Sequence, residues 1–86
     1  SEVSVYPNPF RTSFNIKTQN SGNSVKSPVE IIITDISGRT VMHKTDADMF
    51  FSPETEIDFS DKKPGLYIVN IKDSKGAVST NKIIKN

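Results

Sequence analysis

The chain has 86 residues, a formal net charge of +1 and no cysteine. That length suits one domain rather than two and leaves little core volume for an enclosed active-site cavity. The near-neutral charge gives no strong field for nucleic acid or an anionic membrane, and the missing thiols exclude disulfides, thiolate nucleophiles and Cys-based zinc sites. A chain of this length folds to a radius of gyration of roughly 12 Å.

The apolar residues recur with a period of two, in short runs. Val3 and Val5 alternate first, and Pro7-Asn8-Pro9 ends that run because two prolines remove two ladder donors. Phe14 and Ile16 alternate next, followed by the polar loop Asn20-Ser21-Gly22-Asn23-Ser24. The run from Val29 to Ile36 is rich in β-branched residues and is expected to be buried on both faces. Ser37-Gly38-Arg39 reads as a tight hairpin turn into a fourth run, with Val41 and His43 on one face and Thr40 and Met42 on the other. Ser52-Pro53 precedes a fifth run, in which Ile57 and Phe59 alternate with acids.

Pro64-Gly65 then makes a corner into the sixth run, where Tyr67, Val69 and Ile71 alternate with Leu66, Ile68 and Asn70. A tyrosine at the second position of that run can bury its ring between sheets and direct its hydroxyl to backbone at the corner. Asp73-Ser74-Lys75-Gly76 joins it as a hairpin to the last run, where Val78, Thr80, Lys82 and Ile84 are out of phase with Ser79, Asn81, Ile83 and Lys85. No stretch keeps a 3.6-residue apolar spacing over a helix length, and Ala47, Ala77 and Leu66 are the chain's whole stock of Ala and Leu. Seven short strands between turn signals predict an all-β fold, a seven-stranded antiparallel immunoglobulin-like β-sandwich, with a small barrel as the competing closure. One domain over residues 1–86 is expected. The start at Ser1, without an initiator Met or a signal peptide, reads as a piece of a longer protein or a matured product.

Chemistry-bearing residues are few. His43 is the one histidine, and no Gly-x-Ser-x-Gly elbow accompanies it, so a packing or surface role is favoured over a triad. Asp46 and Asp48, with Glu54 and Glu56 nearby, offer oxygen ligands for calcium, but the spacing is not that of an EF-hand and an ordinary acidic loop is the simpler reading. Of the seven aromatics, Phe50-Phe51 stand apart, because adjacent side chains cannot both face the same way and one of them could mark a contact site. Charge is unevenly spread. Asp46, Asp48, Glu54, Glu56, Asp58 and Asp61 span a stretch without Lys or Arg, whereas Asp73 is the one acid after Lys62 among six lysines. Solvated edge charges explain this, and a basic last strand meeting an acidic receptor is the sharper alternative.

Four segments, in order, resemble a known family. Val5-Tyr6-Pro7-Asn8-Pro9-Phe10 resembles the Tyr-Pro-Asn-Pro opening of type IX secretion C-terminal sorting domains. Asp35-Ile36-Ser37-Gly38-Arg39-Thr40-Val41 is similar to the family's central hairpin. Gly65-Leu66-Tyr67-Ile68-Val69 matches its Gly-x-Tyr-x-Val motif, and Lys82-Ile83-Ile84-Lys85 resembles its closing lysine-flanked segment. The resemblance runs from about Val3 to Lys85 and departs in the loop from Gln19 to Pro28, which is longer and richer in Asn and Ser.

The resemblance implies a non-catalytic secretion signal at the C-terminus of exported cargo in certain Gram-negative bacteria. Its partners would be the outer-membrane type IX machinery and a sortase-like peptidase that removes the domain and attaches the cargo to anionic lipopolysaccharide. No nucleic acid, small-molecule substrate or cofactor is implied, and the isolated domain is expected to be a monomer. Its location would be the periplasm in transit, then the cell surface or medium. The recognition motif comprises Pro7, Asn8, Pro9, Gly65, Tyr67, Lys82, Ile83, Ile84 and Lys85.

The last strand, at the free end with both lysines and no capping element, is expected to be the readable part, since an exposed edge can add to a partner's sheet. One of Ile83 and Ile84 must face inward, and the other is expected to be read with the lysines. For Pro7-Asn8-Pro9 the favoured reading is a device that blunts the first strand and guides the crossover between sheets. The competing functions are a carbohydrate-binding or adhesion sandwich, resting on Phe50-Phe51 with Asp46 and Asp48, and a passive spacer. An enzyme is more distant.

Overall fold

The computed structural model describes residues 3–18, 28–45, 54–73, 76 and 78–86. Among them the chain forms β1 (Val3–Tyr6), β2 (Ser13–Thr18), β3 (Pro28–Asp35), β4 (Thr40–Thr45), β5 (Glu54–Asp58), β6 (Gly65–Asp73) and β7 (Val78–Lys85), with no helix. The strands make two antiparallel sheets, one of order β1-β2-β5 and one of order β4-β3-β6-β7. The Cα radius of gyration is 12.4 Å.

Alternation fills the space between the sheets. Phe14, Ile16, Ile57 and Phe59 come from the three-stranded side, and Ile31, Ile33, Tyr67, Val69, Ile71 and Ile83 from the other. Phe10, from the crossover after β1, completes this core. Four rings interlock at one end. Phe10 lies 5.0 Å from Phe14 and 5.8 Å from Phe59, and Phe59 meets Tyr67 edge-on at 4.9 Å. Edge-to-face contacts of this kind add about 0.5–1.5 kcal/mol each beyond the apolar area they bury.

Two expectations change. β3 is covered on one face: Ile31 and Ile33 are buried, whereas Ile32 is half-buried and Ile36, just past the strand, is 74% exposed. A run of β-branched residues is therefore compatible with a sheet that has one bare side. Between β3 and β4 the register shifts at Ile33/Thr34, so that Ile33 faces Met42, Thr34 faces Thr40 and Val41 is the extra residue of β4. This bulge turns both Val41 and Met42 toward the core instead of to opposite faces.

The two turns read from sequence have specific chemistry. In the β3–β4 hairpin, Gly38 takes φ +90° and its amide donates to the Asp35 carbonyl at 3.0 Å. The Asp35 carboxylate accepts from the Ser37 amide at 3.0 Å, the Ser37 hydroxyl at 2.6 Å and the Arg39 amide at 3.0 Å. The Ser37 hydroxyl bond, helped by the two amides and the Arg39 charge, holds the carboxyl below its usual range. At the β6 corner Gly65 takes φ +151° and the Tyr67 hydroxyl donates to the Lys63 carbonyl at 2.6 Å. Tyr67 is thus both a core ring and the clamp on the corner before its own strand.

Tyr67→Phe keeps the ring and removes that bond. It should cost about 1 kcal/mol and lower Tm by roughly 4–8 °C, readable by thermal melting, whereas an unchanged Tm would show the corner to be held by packing alone. Asp35 stabilises the fold in its ionised form, so its contribution is complete above the unfolded carboxyl value and is lost as pH falls through the lower folded value. Melting from about pH 6 to about pH 2 should show wild type losing more stability than Asp35→Ala below about pH 4, and parallel curves would refute the role.

Candidate functional site

β7 lies at one edge of the four-stranded sheet and pairs with β6 from Gly65↔Lys85 to Lys72↔Val78. Its alternation is resolved clearly. Ile83 and Lys85 face inward, while Lys82 and Ile84 face outward with Val78 and Thr80. Ile83 is 0% exposed and belongs to the core, and Ile84 is 46% exposed. The inward isoleucine is therefore Ile83.

The two lysines differ. Lys82 stands on the open face, whereas Lys85 is only 9% exposed. This corrects the expectation that both lysines stand together at the surface. Lys85 is an odd-numbered partner of Ile83, so strand geometry forces its stem inward. Among the described residues no buried side-chain nitrogen or oxygen lacks a partner, so the Lys85 ammonium is not stranded. A lysine stem can lie along apolar surface while its tip reaches water.

The end of β7 is also capped, against the expectation of an uncapped edge. The N-terminal segment crosses from β1 to run beside it, and Phe10 forms an isolated parallel bridge with Lys85. The Phe10 amide donates to the Ile84 carbonyl at 2.9 Å, and the Asn86 amide donates to the Phe10 carbonyl at 2.8 Å. Between Pro7 and Pro9, which have no amide hydrogen to offer, the Asn8 side chain replaces the missing backbone. Its Nδ2 donates to the Lys82 carbonyl at 3.0 Å, and its Oδ1 accepts from the Ile84 amide at 2.9 Å. An asparagine amide carries a carbonyl acceptor and an NH2 donor, so it can offer one of each, as the backbone of a strand residue does. The peptide bonds Tyr6–Pro7 and Asn8–Pro9 are both cis.

The residues named from sequence thus fall into two connected groups. Asn8, between Pro7 and Pro9, bonds to Lys82 and Ile84 on either side of Ile83, and Phe10 bridges to Lys85. Gly65 and Tyr67 lie across β6, in register with Lys85 and Ile83. The contact between the first and last motifs was not read from sequence. The one available signal was an asparagine held between two prolines, neither of which has an amide hydrogen.

Other candidates carry less. A cleft of about 410 Å³ opens between the β3–β4 hairpin and the β6 corner, lined in part by Asp35, Ile36, Arg39, Lys63 and Leu66. Its Asp35 carboxylate is committed to the hairpin and held ionised, so it is a poor proton donor there. The His43 Nε2 lies 2.7 Å from Glu30 Oε2 in an exposed pair across β3 and β4. Among the described residues no three His, Cys, Asp or Glu side chains gather as a metal site. Asp46, Asp48, Phe50 and Phe51 lie outside the described residues, as does most of the Gln19–Pro28 loop. The described strand residues of the two charge blocks lie on different sheets, Glu54, Glu56 and Asp58 on β5 and Lys72, Lys82 and Lys85 on β6 and β7. Glu54, Glu56 and Asp58 line the exposed side of β5, where the Ser13 hydroxyl donates to Glu56 at 2.9 Å and the Tyr6 hydroxyl donates to Glu54. That bond to Glu54 raises the Tyr6 pKa, with smaller contributions from burial and the carboxylate charge.

A search of curated proteins finds none that matches the chain. A family model described as "Secretion system C-terminal sorting domain" matches residues 4–86. That span runs from β1 through the end of β7 and contains the proline clasp, the corner and the closing lysine segment. A domain of this kind is a C-terminal sorting signal for type IX secretion; it implies engagement with that machinery and export to the cell surface or beyond, and is generally non-catalytic. The chain belongs to the family of type IX secretion C-terminal sorting domains.

Proposed function

We propose that these 86 residues form one folded, non-catalytic label that carries an attached cargo through the periplasm, across the outer membrane and to the cell surface, and that β7 is the part the machinery reads. The observation that carries this reading is the meeting of the Pro7-Asn8-Pro9 and Lys82-Ile83-Ile84-Lys85 segments in one hydrogen-bonded unit. A label must be recognised only when folded, and a terminal strand held by the start of the domain exists only in the folded state. A partly formed chain would present the lysines without the clasp.

The sheet orders β1-β2-β5 and β4-β3-β6-β7 support an immunoglobulin-like sandwich, in which the corner tyrosine is a recurrent device. The closed core supports a role as ligand and substrate of other proteins, with a sortase-like peptidase acting on the chain before the domain. A monomer is the working state, because the Lys82 to Asn86 end of the β7 edge is covered from within.

Fusing residues 1–86 to a fluorescent reporter in a host with type IX machinery should place the reporter on the cell surface. Retention in the periplasm would refute the proposal. Deleting residues 82–86 removes Ile83 from the core together with the clasp bonds, and export should be abolished; secretion at the normal level would show that β7 is not read.

A further inference from the structure

We infer that the machinery reads β7 through the outer face of its sheet, not by adding a strand to its edge, and that the receptor offers an apolar surface carrying a carboxylate opposite Lys82. This rests on the reading of the domain as a type IX sorting signal.

Strand addition needs free backbone groups that point away from the sheet. Along the end of β7 those groups are the Lys82 carbonyl, both groups of Ile84 and the Asn86 amide, and all are taken by Asn8 or Phe10. A receptor strand would have to displace four hydrogen bonds and the start of the domain, including the core residue Phe10.

The face of the same sheet is open and unusually apolar at one end. Leu66 and Ile84 stand opposite each other and are 38% and 46% exposed. Ile68 lies two residues along β6 from Leu66, opposite Lys82 on one side and Thr34 on the other. Ile36 is exposed at the hairpin and lines the same cleft as Leu66, whereas Ile32 lies further along β3, between Asn70 and His43. The far end of this face differs. There Thr80 donates to Asn70 at 2.8 Å and His43 pairs with Glu30, so the polar groups satisfy each other. Lys82 has no such partner among the described residues.

This combination determines the partner's chemistry. Large exposed apolar side chains grouped on one face mark an interaction surface. Burying them also desolvates Lys82 in their midst, which is tolerable only if the ammonium meets a carboxylate. Lys72 lies at the far end of the face, opposite Glu30, so Lys82 is the charge beside the apolar group, and it favours an acidic partner. A protein surface with apolar side chains and an Asp or Glu fits; an anionic lipid surface is the rival that the test must separate.

The reporter fusion provides the test. Leu66→Thr with Ile84→Thr keeps strand propensity and the buried core, so melting should stay close to wild type while export falls about tenfold or more, the scale of losing an interface anchor. Lys82→Glu should lower export similarly, and Lys82→Arg should retain most of it. Asn8→Ala bares the edge and should bring no gain. Face variants that melt like wild type and export at its level would overturn the proposal. So would an Asn8→Ala domain exported better than wild type, which would mean that the edge is read. Binding of the wild-type domain to anionic phosphatidylglycerol vesicles, lost in the Leu66→Thr/Ile84→Thr variant, would assign the face to lipid instead. A wild-type reporter that is not exported removes the sorting reading itself, and is distinguishable from the other results because no variant enters it.

Discussion

The ring of Phe59 is the contact on which the rest of the architecture depends. It touches Phe14 from the three-stranded sheet, Tyr67 from the four-stranded sheet and Phe10 from the segment that passes between them. Each contact fixes a different relation. The first two hold the sheets face to face, and the third seats the crossover. Once Phe10 is seated, its backbone lies beside Ile84 and Asn86, and Asn8 is carried to the outward groups of Lys82 and Ile84. β7 is therefore held at second hand by an aromatic cluster whose members come from four separate stretches of chain.

This arrangement resolves a tension in any small β domain used as a label. A terminal strand must be accessible, yet an accessible strand edge invites aggregation. Here the last part of the β7 edge, from Lys82 on, is closed by a side-chain amide and one residue of backbone, while its outer face stays open. Proline makes this possible. Because Pro7 and Pro9 offer no amide hydrogen, the segment cannot extend β1 into a full ladder against β7, and the Asn8 side chain does the pairing instead.

Much of the fold was legible because it is local. The Asp35–Arg39 hairpin, the Pro64-Gly65 corner and the burial of Tyr67 follow from turn chemistry and alternation within a few residues. The seven runs appear as strands in the expected order. What was not legible depends on distant parts of the chain. Alternation cannot tell whether a second layer covers β3, so Ile32 and Ile36 were expected inside. The bulge at Ile33/Thr34 that turns Val41 and Met42 to one side is set by pairing, not by either residue. Adjacent Ile83 and Ile84 left the phase of β7 open, and with it the different surroundings of Lys82 and Lys85. The Asn8 bonds span 74 and 76 residues of sequence, beyond any local signal.

The parallel course of the Phe10 segment and β7 has a mechanical consequence. If the chain is pulled between the start of β1 and Asn86, the force runs along this pair instead of peeling it apart. The four bonds of Asn8 and Phe10 then bear load together, as fibres of a lap joint do. A domain tugged by its cargo at one end while gripped at the other would thus hold its shape until that seam slid as a whole.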